Sequence, residues 1–116
     1  MITEDDLLSR TMLFDLIEDH FPDIHIVGMT HTVKDSLEFL KDHPIDLLFL
    51  DIELPDGNGF DILAGSGKSN FGVIITTSYV KFTNVLQHCN VIDSIVKPVT
   101  LTTLRNAMNK SHFIKL

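Results

Sequence analysis

The chain has 116 residues, enough for one domain with a single hydrophobic core. Hydrophobic residues make up 44%, more than disordered chains carry, and nine basic against sixteen acidic residues give a formal net charge of -7. This charge disfavours direct nucleic-acid binding, which requires Lys and Arg to neutralise phosphates. The sequence also lacks an apolar run of the roughly 20 residues that cross a bilayer, a secretory signal, and a second cysteine to pair with Cys89. We therefore expect a cytoplasmic protein that does not contact membranes.

The first half of the chain alternates between strand and helix patterns. Only residues 1–3 precede the acidic segment over residues 4–6, whereas strands usually have about five residues, so the first strand is truncated or begins before this numbering. Residues 24–28 predict a second strand that ends at Gly28. Thr32 is expected to cap a second helix. Apolar residues at helical spacing indicate the first helix, which residues 21–23 end, and mark the inner face of the second: Leu8, Met12, Leu13, Leu16 and Ile17 in the first, Val33, Leu37 and Leu40 in the second.

An apolar run without polar alternation, residues 47–50, predicts a third strand buried on both faces of a parallel sheet. It ends at Asp51, and we expect Asp56 to shape the following turn with Gly57. A short helix from residue 60, a strand over 73–77, a helix over 80–88 and a last strand over 91–96 follow. The final predicted helix is capped by Thr100 and uses Leu101, Leu104 and Met108. The regular alternation predicts a parallel sheet with helices on both faces.

Polar side chains stand where the predicted strands end. Glu4 and Asp5 follow the first strand, Asp51 ends the third, Thr77 ends the fourth and Lys97 follows the last. The carboxyl ends of parallel strands meet at one edge of a sheet, where the reversal of strand order opens a crevice. The sequence therefore predicts that these five residues form one site.

The carboxylates at this edge predict a metal ion. Two carboxylates about 4 Å apart repel by about 4 kcal/mol at an effective dielectric constant near 20. Either one pKa rises or a cation binds, and oxygen ligands favour a hard cation such as magnesium, Mg²⁺. An aspartate beside a partly hydrated Mg²⁺ is equipped to accept a phosphoryl group. Lys97 and the Thr77 hydroxyl would then contact phosphoryl oxygens.

Four segments resemble the receiver domains of two-component response regulators: residues 3–6 with Arg10, residues 50–59, residues 75–79 and residues 96–98. They occur in the family's order, and the resemblance covers essentially the whole chain. Residues 21–24, 49–52 and 77–79 are most similar to the LytTR branch, whose receivers normally precede a DNA-binding domain. The resemblance implies a single doubly wound, flavodoxin-like (βα)5 domain over residues 1–116, with a five-stranded parallel sheet in the order 2-1-3-4-5.

The resemblance also implies roles for particular residues. Asp51 corresponds to the phosphoacceptor, Thr77 to the switch hydroxyl and Lys97 to the invariant lysine, whose peptide bond to Pro98 is cis in the family. Such a domain assists its own phosphotransfer and dephosphorylation but is a switch rather than a turnover enzyme.

The metal site implied by the resemblance holds Mg²⁺ (or Mn²⁺). Its ligands would be Glu4, Asp5, Asp51 and the main-chain carbonyl of Glu53. Of the acidic pair Glu4 and Asp5, Asp5 is expected to bind the ion directly. Family members usually carry an aromatic residue where this chain has Ser94, so we do not expect the usual coupling between that aromatic side chain and the switch hydroxyl here. Tyr79, two residues beyond Thr77, is expected to shield an acyl phosphate and slow its hydrolysis.

The implied partner is a sensor histidine kinase that donates the phosphoryl group. The fourth helix, last strand and last helix would form a face for an effector or a second copy of the chain. We expect no output domain within these 116 residues. Two alternatives stay open: a single-domain regulator, or a fragment of a LytTR-like transcription factor.

Two other functions remain open at this point. A pseudo-receiver would bind a protein without phosphorylation, although such modules often lose one of the five site residues found here. A Mg²⁺-dependent phosphatase with an aspartyl-phosphate intermediate would use Glu53 as its second acid, although this chain is too short for the expected cap domain.

Overall fold

The computed structural model describes residues 1–66, 70–78 and 90–110. The elements within these ranges are β1 (Ile2–Thr3), α1 (Leu7–His20), β2 (Met29–Thr30), α2 (Val33–Asp42), β3 (Leu47–Asp51), β4 (Glu53–Leu54), β5 (Gly57–Asn58), α3 (Gly59–Gly65), β6 (Gly72–Thr77), β7 (Val91–Val96) and α4 (Leu101–Asn109). The helix predicted over residues 80–88, and Tyr79, lie outside the described residues.

Five strands form a parallel sheet in the order β2-β1-β3-β6-β7. The other two, β4 and β5, pair antiparallel in a short hairpin directly after β3. Apart from this hairpin, the predicted order 2-1-3-4-5 is confirmed. The chain leaves β1 toward one edge of the sheet and then crosses to β3 on the other side of β1. The carboxyl ends of β1 and β3 therefore flank the point where the strand order reverses.

Every residue of β3 is buried, because helices cover both faces of the sheet. Phe49 belongs to a core cluster with residues of α1 and α4, including Leu13 and Leu104. Leu50 belongs to the cluster on the opposite face, with Ile62 of α3 and partly buried side chains of α2. The predicted arrangement of helices on both faces is confirmed. Packing on both faces holds β3 in place, so Asp51 lies at the carboxyl edge of the sheet.

The second strand differs from its prediction over residues 24–28. Its paired residues are Met29 and Thr30, because the two-residue β1 offers only Ile2 and Thr3 as partners. Gly28 does not end this strand, since its carbonyl accepts a hydrogen bond from the Ile2 N–H at 3.0 Å. A Cβ atom at this position would lie 2.5 Å from the Phe39 ring, so close packing against α2 is what requires a glycine.

The predicted helix starts are confirmed by their capping bonds. The Thr32 hydroxyl accepts from the Asp35 N–H at 3.0 Å, and the Thr100 hydroxyl accepts from the Thr103 N–H at 3.2 Å. The Asp6 side chain caps α1 in the same way, which places the acidic segment after β1 at a helix start. Among the described residues, none of the helices combines the length and apolar character needed to cross a membrane.

Candidate functional site

An open pocket of about 330 Å³ lies at the carboxyl edge of the sheet. The ends of β1, β3 and β7 and the β4–β5 hairpin surround it. Its lining residues are Glu4, Asp5, Asp6, Asp51, Glu53, Leu54, Pro55 and Lys97. Five of the six predicted site residues therefore share this pocket: Glu4, Asp5, Asp51, Glu53 and Lys97.

Three carboxylates form a cluster in this pocket. One oxygen atom from each of Glu4, Asp5 and Asp51 lies within 4.8 Å of the others. Glu4 and Asp51 are only 3% and 2% exposed, whereas Asp5 is open to solvent. The Arg10 guanidinium donates to the main-chain carbonyls of Glu4 at 2.9 Å and Asp5 at 3.4 Å. These bonds fix the turn that carries both acidic residues from β1 into α1.

The Lys97 ammonium lies between two of these carboxylates. Its Nζ is 2.5 Å from Glu4 Oε1 and donates to Asp51 Oδ2 at 3.1 Å. The main-chain N–H of Lys97 donates to the Thr77 carbonyl at 2.7 Å, which joins the end of β6 to the residue after β7. The peptide bond between Lys97 and Pro98 is cis, as predicted.

Burial and charge shift two pKa values in this cluster. Burial raises the pKa of Glu4 to about 7, with a further rise from the hydrogen bond to Asp51, while Lys97 acts in the opposite direction. Burial alone would lower the pKa of Lys97, but the contacts with Glu4 and Asp51 outweigh it and the pKa is raised. The partly buried ammonium therefore stays charged and partly neutralises its two carboxylate neighbours.

The donor atoms of the pocket fit a hard divalent cation. They are carboxylate oxygens, which are ligands that Mg²⁺ takes, and the exposed Asp5 leaves the cluster open on its solvent side. The Glu53 side chain is exposed, and its N–H donates to Asp51 Oδ1 at 3.1 Å. The Glu53 main chain thus borders the Asp51 carboxylate, and the use of its carbonyl as a metal ligand remains a prediction.

Thr77 occupies the position predicted for it, at the carboxyl end of β6. It is fully buried and pairs in register with Val96, while Asp51 pairs with its neighbour Thr76. Thr76, not Thr77, lines a small cavity of about 40 Å³ that also includes Glu4 and Lys97. The structure does not bring Thr77 into the lining of the open pocket, so its switch role remains a prediction.

Asp56, predicted only to shape a turn, also makes long-range bonds that the sequence did not reveal. The Asp56 carboxylate accepts hydrogen bonds from the N–H groups of Val33 at 2.7 Å and Lys34 at 3.1 Å, the first two residues of α2. These bonds hold the pKa of Asp56 below its ordinary value. Because its partners lie 23 and 22 residues away, no local sequence signal distinguishes Asp56 from an ordinary turn residue.

A family model described as the response regulator receiver domain matches residues 1–109. Among similar proteins, the sensory transduction protein LytT of Bacillus anthracis is 31% identical over 100 residues, which are 84% of this chain and 40% of that protein. LytT of Enterococcus faecalis is 30% identical over 114 residues, 96% of this chain and 46% of that protein. The chain thus spans less than half the length of these relatives.

Solved structures show the same fold. The response regulatory domain of protein mrkE from Klebsiella pneumoniae has a TM-score of 0.83 at 27% identity, with coverage of 94% of this chain and 90% of that one. A MaeR response regulator bound to beryllium trifluoride has a TM-score of 0.62 at 30% identity, with coverage of 94% and 92%.

Proposed function

The chain belongs to the response regulator receiver domain family, and from this premise we propose that it accepts a phosphoryl group on Asp51 from the histidine of a sensor kinase. Receiver domains of this family act in two-component signal transduction and are generally not enzymes. One observation carries the assignment to this residue. Asp51 is a buried carboxylate at the end of β3 that borders an open pocket and contacts Lys97.

The other acidic residues of the pocket are less suited to be the acceptor. Glu4 Oε1 contacts Lys97 and Oε2 accepts from the Asp6 N–H at 3.3 Å, so hydrogen bonding alone does not separate Glu4 from Asp51. The raised pKa does, because a partly protonated Glu4 is a weaker nucleophile at neutral pH. Asp5 is exposed to solvent, so its carboxylate is less firmly held than that of Asp51. Asp51 is held by the Glu53 N–H on one oxygen and by Lys97 on the other.

In the proposed transfer, a carboxylate oxygen of Asp51 bonds to phosphorus while the bond between phosphorus and the kinase imidazole nitrogen breaks. The electron pair of that bond stays on the imidazole. Lys97 is placed to follow the charge, because its ammonium already contacts Asp51 and would donate to a phosphoryl oxygen. The Thr77 hydroxyl is proposed to contact another phosphoryl oxygen.

We propose that Glu4, Asp5, Asp51 and the carbonyl of Glu53 hold Mg²⁺ (or Mn²⁺) beside the acceptor. When bound, this ion supplies positive charge that offsets the charge of the phosphoryl oxygens. The cluster of three carboxylates with one ammonium leaves a negative balance at the pocket, which supports cation binding.

The response to phosphorylation is proposed to alter the face that includes β7 and α4, which would bind an effector or a second copy of the chain. Lys110, just after α4, bonds to Asp93 of β7 at 2.9 Å, so these two elements are linked on this face. Ser94 stands in β7 where the family usually has an aromatic residue, and we propose that the switch here works without that side chain. On family grounds we place the domain in the cytoplasm.

Intact-mass measurement after incubation with Mg²⁺ and acetyl phosphate tests this function. We expect one phosphoryl group on the wild type and none on Asp51→Asn. Asp46→Asn is a matched control, because Asp46 is exposed and precedes the opposite, amino end of β3, and this variant should behave as the wild type. Equal uptake by Asp51→Asn would contradict the assignment. No uptake by a folded, Mg²⁺-binding wild type would instead favour a pseudo-receiver that only binds a protein.

A further inference from the structure

The tip of the β4–β5 hairpin is fastened to the start of α2 by one side chain. Asp56 Oδ1 accepts from the Val33 N–H and Asp56 Oδ2 from the Lys34 N–H, so each carboxylate oxygen has its own donor. The first N–H groups of a helix have no partner within the helix and carry partial positive charge. Hydrogen bonds from such groups to a carboxylate are stronger than neutral ones.

The base of the same hairpin borders the phosphoacceptor. Glu53 of β4 pairs with Asn58 of β5, and the Glu53 N–H donates to the Asp51 carboxylate. The far strand is also anchored, because the Asn58 N–H donates to Asp61 Oδ2 at 3.0 Å. Asp56 lies in the turn between these two strands. Its bonds to α2 therefore restrain the segment that carries the Glu53 main chain.

The hairpin tip and the helix start also approach closely. A Cβ atom at Gly57 would lie 3.3 Å from Cγ2 of Val33 and 2.7 Å from Oδ2 of Asp61. The tip is therefore packed against α2 on one side and against α3 on the other. A side chain that pulls the tip onto α2 determines where the rest of the hairpin lies.

We propose that Asp56 is a positioning residue for the metal site: by tying the hairpin tip to α2, it holds the main chain of Glu53 beside the Asp51 carboxylate. This inference rests on the proposed function, in which the Glu53 carbonyl is a metal ligand. Asp56 itself is exposed and does not line the pocket, so it acts through the hairpin and not on the reacting atoms.

The competing explanation is that Asp56 merely stabilises α2. Thr32 offers a matched control, because its hydroxyl caps the same helix through the Asp35 N–H but does not contact the hairpin. Loss of either side chain removes capping bonds from α2. Loss of Asp56 alone releases the hairpin tip.

The test is calorimetric titration with Mg²⁺ alone, without a phosphodonor, on the wild type, Asp56→Ala, Asp56→Asn and Thr32→Ala. Changes to residues that orient metal ligands typically cost about 10–100-fold in metal affinity. Because Asp56 acts on one main-chain ligand among four, we expect Asp56→Ala to raise the Mg²⁺ Kd by about three- to tenfold. Asp56→Asn keeps one acceptor oxygen and should give a smaller rise. Thr32→Ala should change the Kd less than twofold while lowering Tm.

A rise below threefold in Asp56→Ala, or an equal rise in Thr32→Ala, would overturn the inference. If Asp56→Ala does not fold, the comparison of Asp56→Asn with Thr32→Ala decides it, and a Kd for Asp56→Asn no higher than that of Thr32→Ala overturns it. The titration needs no phosphoryl transfer. A wild type that binds Mg²⁺ but takes up no phosphoryl group would therefore refute the proposed function without deciding the role of Asp56.

Discussion

Replacing Lys97 with methionine tests the charge balance of the pocket. The Lys97 side chain is only 17% exposed, and those of its partners Glu4 and Asp51 are 4% and 3% exposed. Methionine keeps an unbranched apolar stem but removes the ammonium. The variant therefore leaves two buried carboxylates side by side without the cation that now contacts both.

The expected loss follows from this geometry. Removing one partner of a buried ion pair costs about 3–5 kcal/mol, because the remaining charge stays buried without compensation. Two fully charged carboxylates within 4.8 Å of each other repel by at least about 3.5 kcal/mol at an effective dielectric constant of 20. Glu4, with a pKa already raised to about 7, can relieve this repulsion by taking up a proton, and the pocket is open on one side. We therefore expect the lower end, a loss of about 3 kcal/mol in the free energy of unfolding.

Urea unfolding without Mg²⁺, followed by circular dichroism, measures this loss. Lys110→Met is the matched control: Lys110 bonds to Asp93 at 2.9 Å, but its side chain is 58% exposed, so the loss should stay below about 1 kcal/mol. Added Mg²⁺ should stabilise Lys97→Met more than the wild type, because the ion replaces the missing positive charge. A loss below about 1 kcal/mol for Lys97→Met, or an equal loss for Lys110→Met, would refute the reasoning.

Three further predictions concern stability measured by urea unfolding. Ser36→Ala should lose about 1–2 kcal/mol, since the fully buried Ser36 hydroxyl bonds to those of Thr30 at 2.6 Å and Thr3 at 3.3 Å; a loss under about 0.5 kcal/mol would contradict this. Asn90 has a φ of 72°, so Asn90→Ala should cost about 1 kcal/mol and Asn90→Gly clearly less, whereas equal losses would count against the backbone argument. The bonds from α2 lower the pKa of Asp56 in the folded state, so the stability lost in Asp56→Asn should be constant above about pH 5 and should shrink as the pH falls toward and through that lowered pKa. A stability loss in Asp56→Asn that stays the same or grows in acid would contradict this prediction.

Much of the fold could be predicted from the sequence because its strongest signals are local. The apolar run that forms β3 must be buried on both faces, and this alone indicates a parallel sheet covered by helices. The caps at Thr32 and Thr100 are equally local, since each side chain bonds to an N–H three residues later. The extent of β2 was not predictable, because it depends on how many residues of β1 are available for pairing.

The site shows the same division between local and long-range effects. Glu4, Asp51 and Lys97 could be predicted to meet because each stands at the end of a parallel strand, and the topology brings those ends together. The ion pairs of Lys97 depend on side-chain placement across 46 and 93 residues of sequence, which no pattern encodes. The bonds of Asp56 to α2 were missed for the same reason.

The central claim, that Asp51 is the phosphoacceptor, is tested most directly by identifying the modified residue. Borohydride reduces an aspartyl phosphate to homoserine, and peptide mass spectrometry locates that residue after treatment with Mg²⁺ and acetyl phosphate. We expect homoserine at position 51 in the wild type, and none in Asp51→Asn. Homoserine at Asp5, or 2-amino-5-hydroxypentanoic acid, the corresponding reduction product, at Glu4, would contradict the claim.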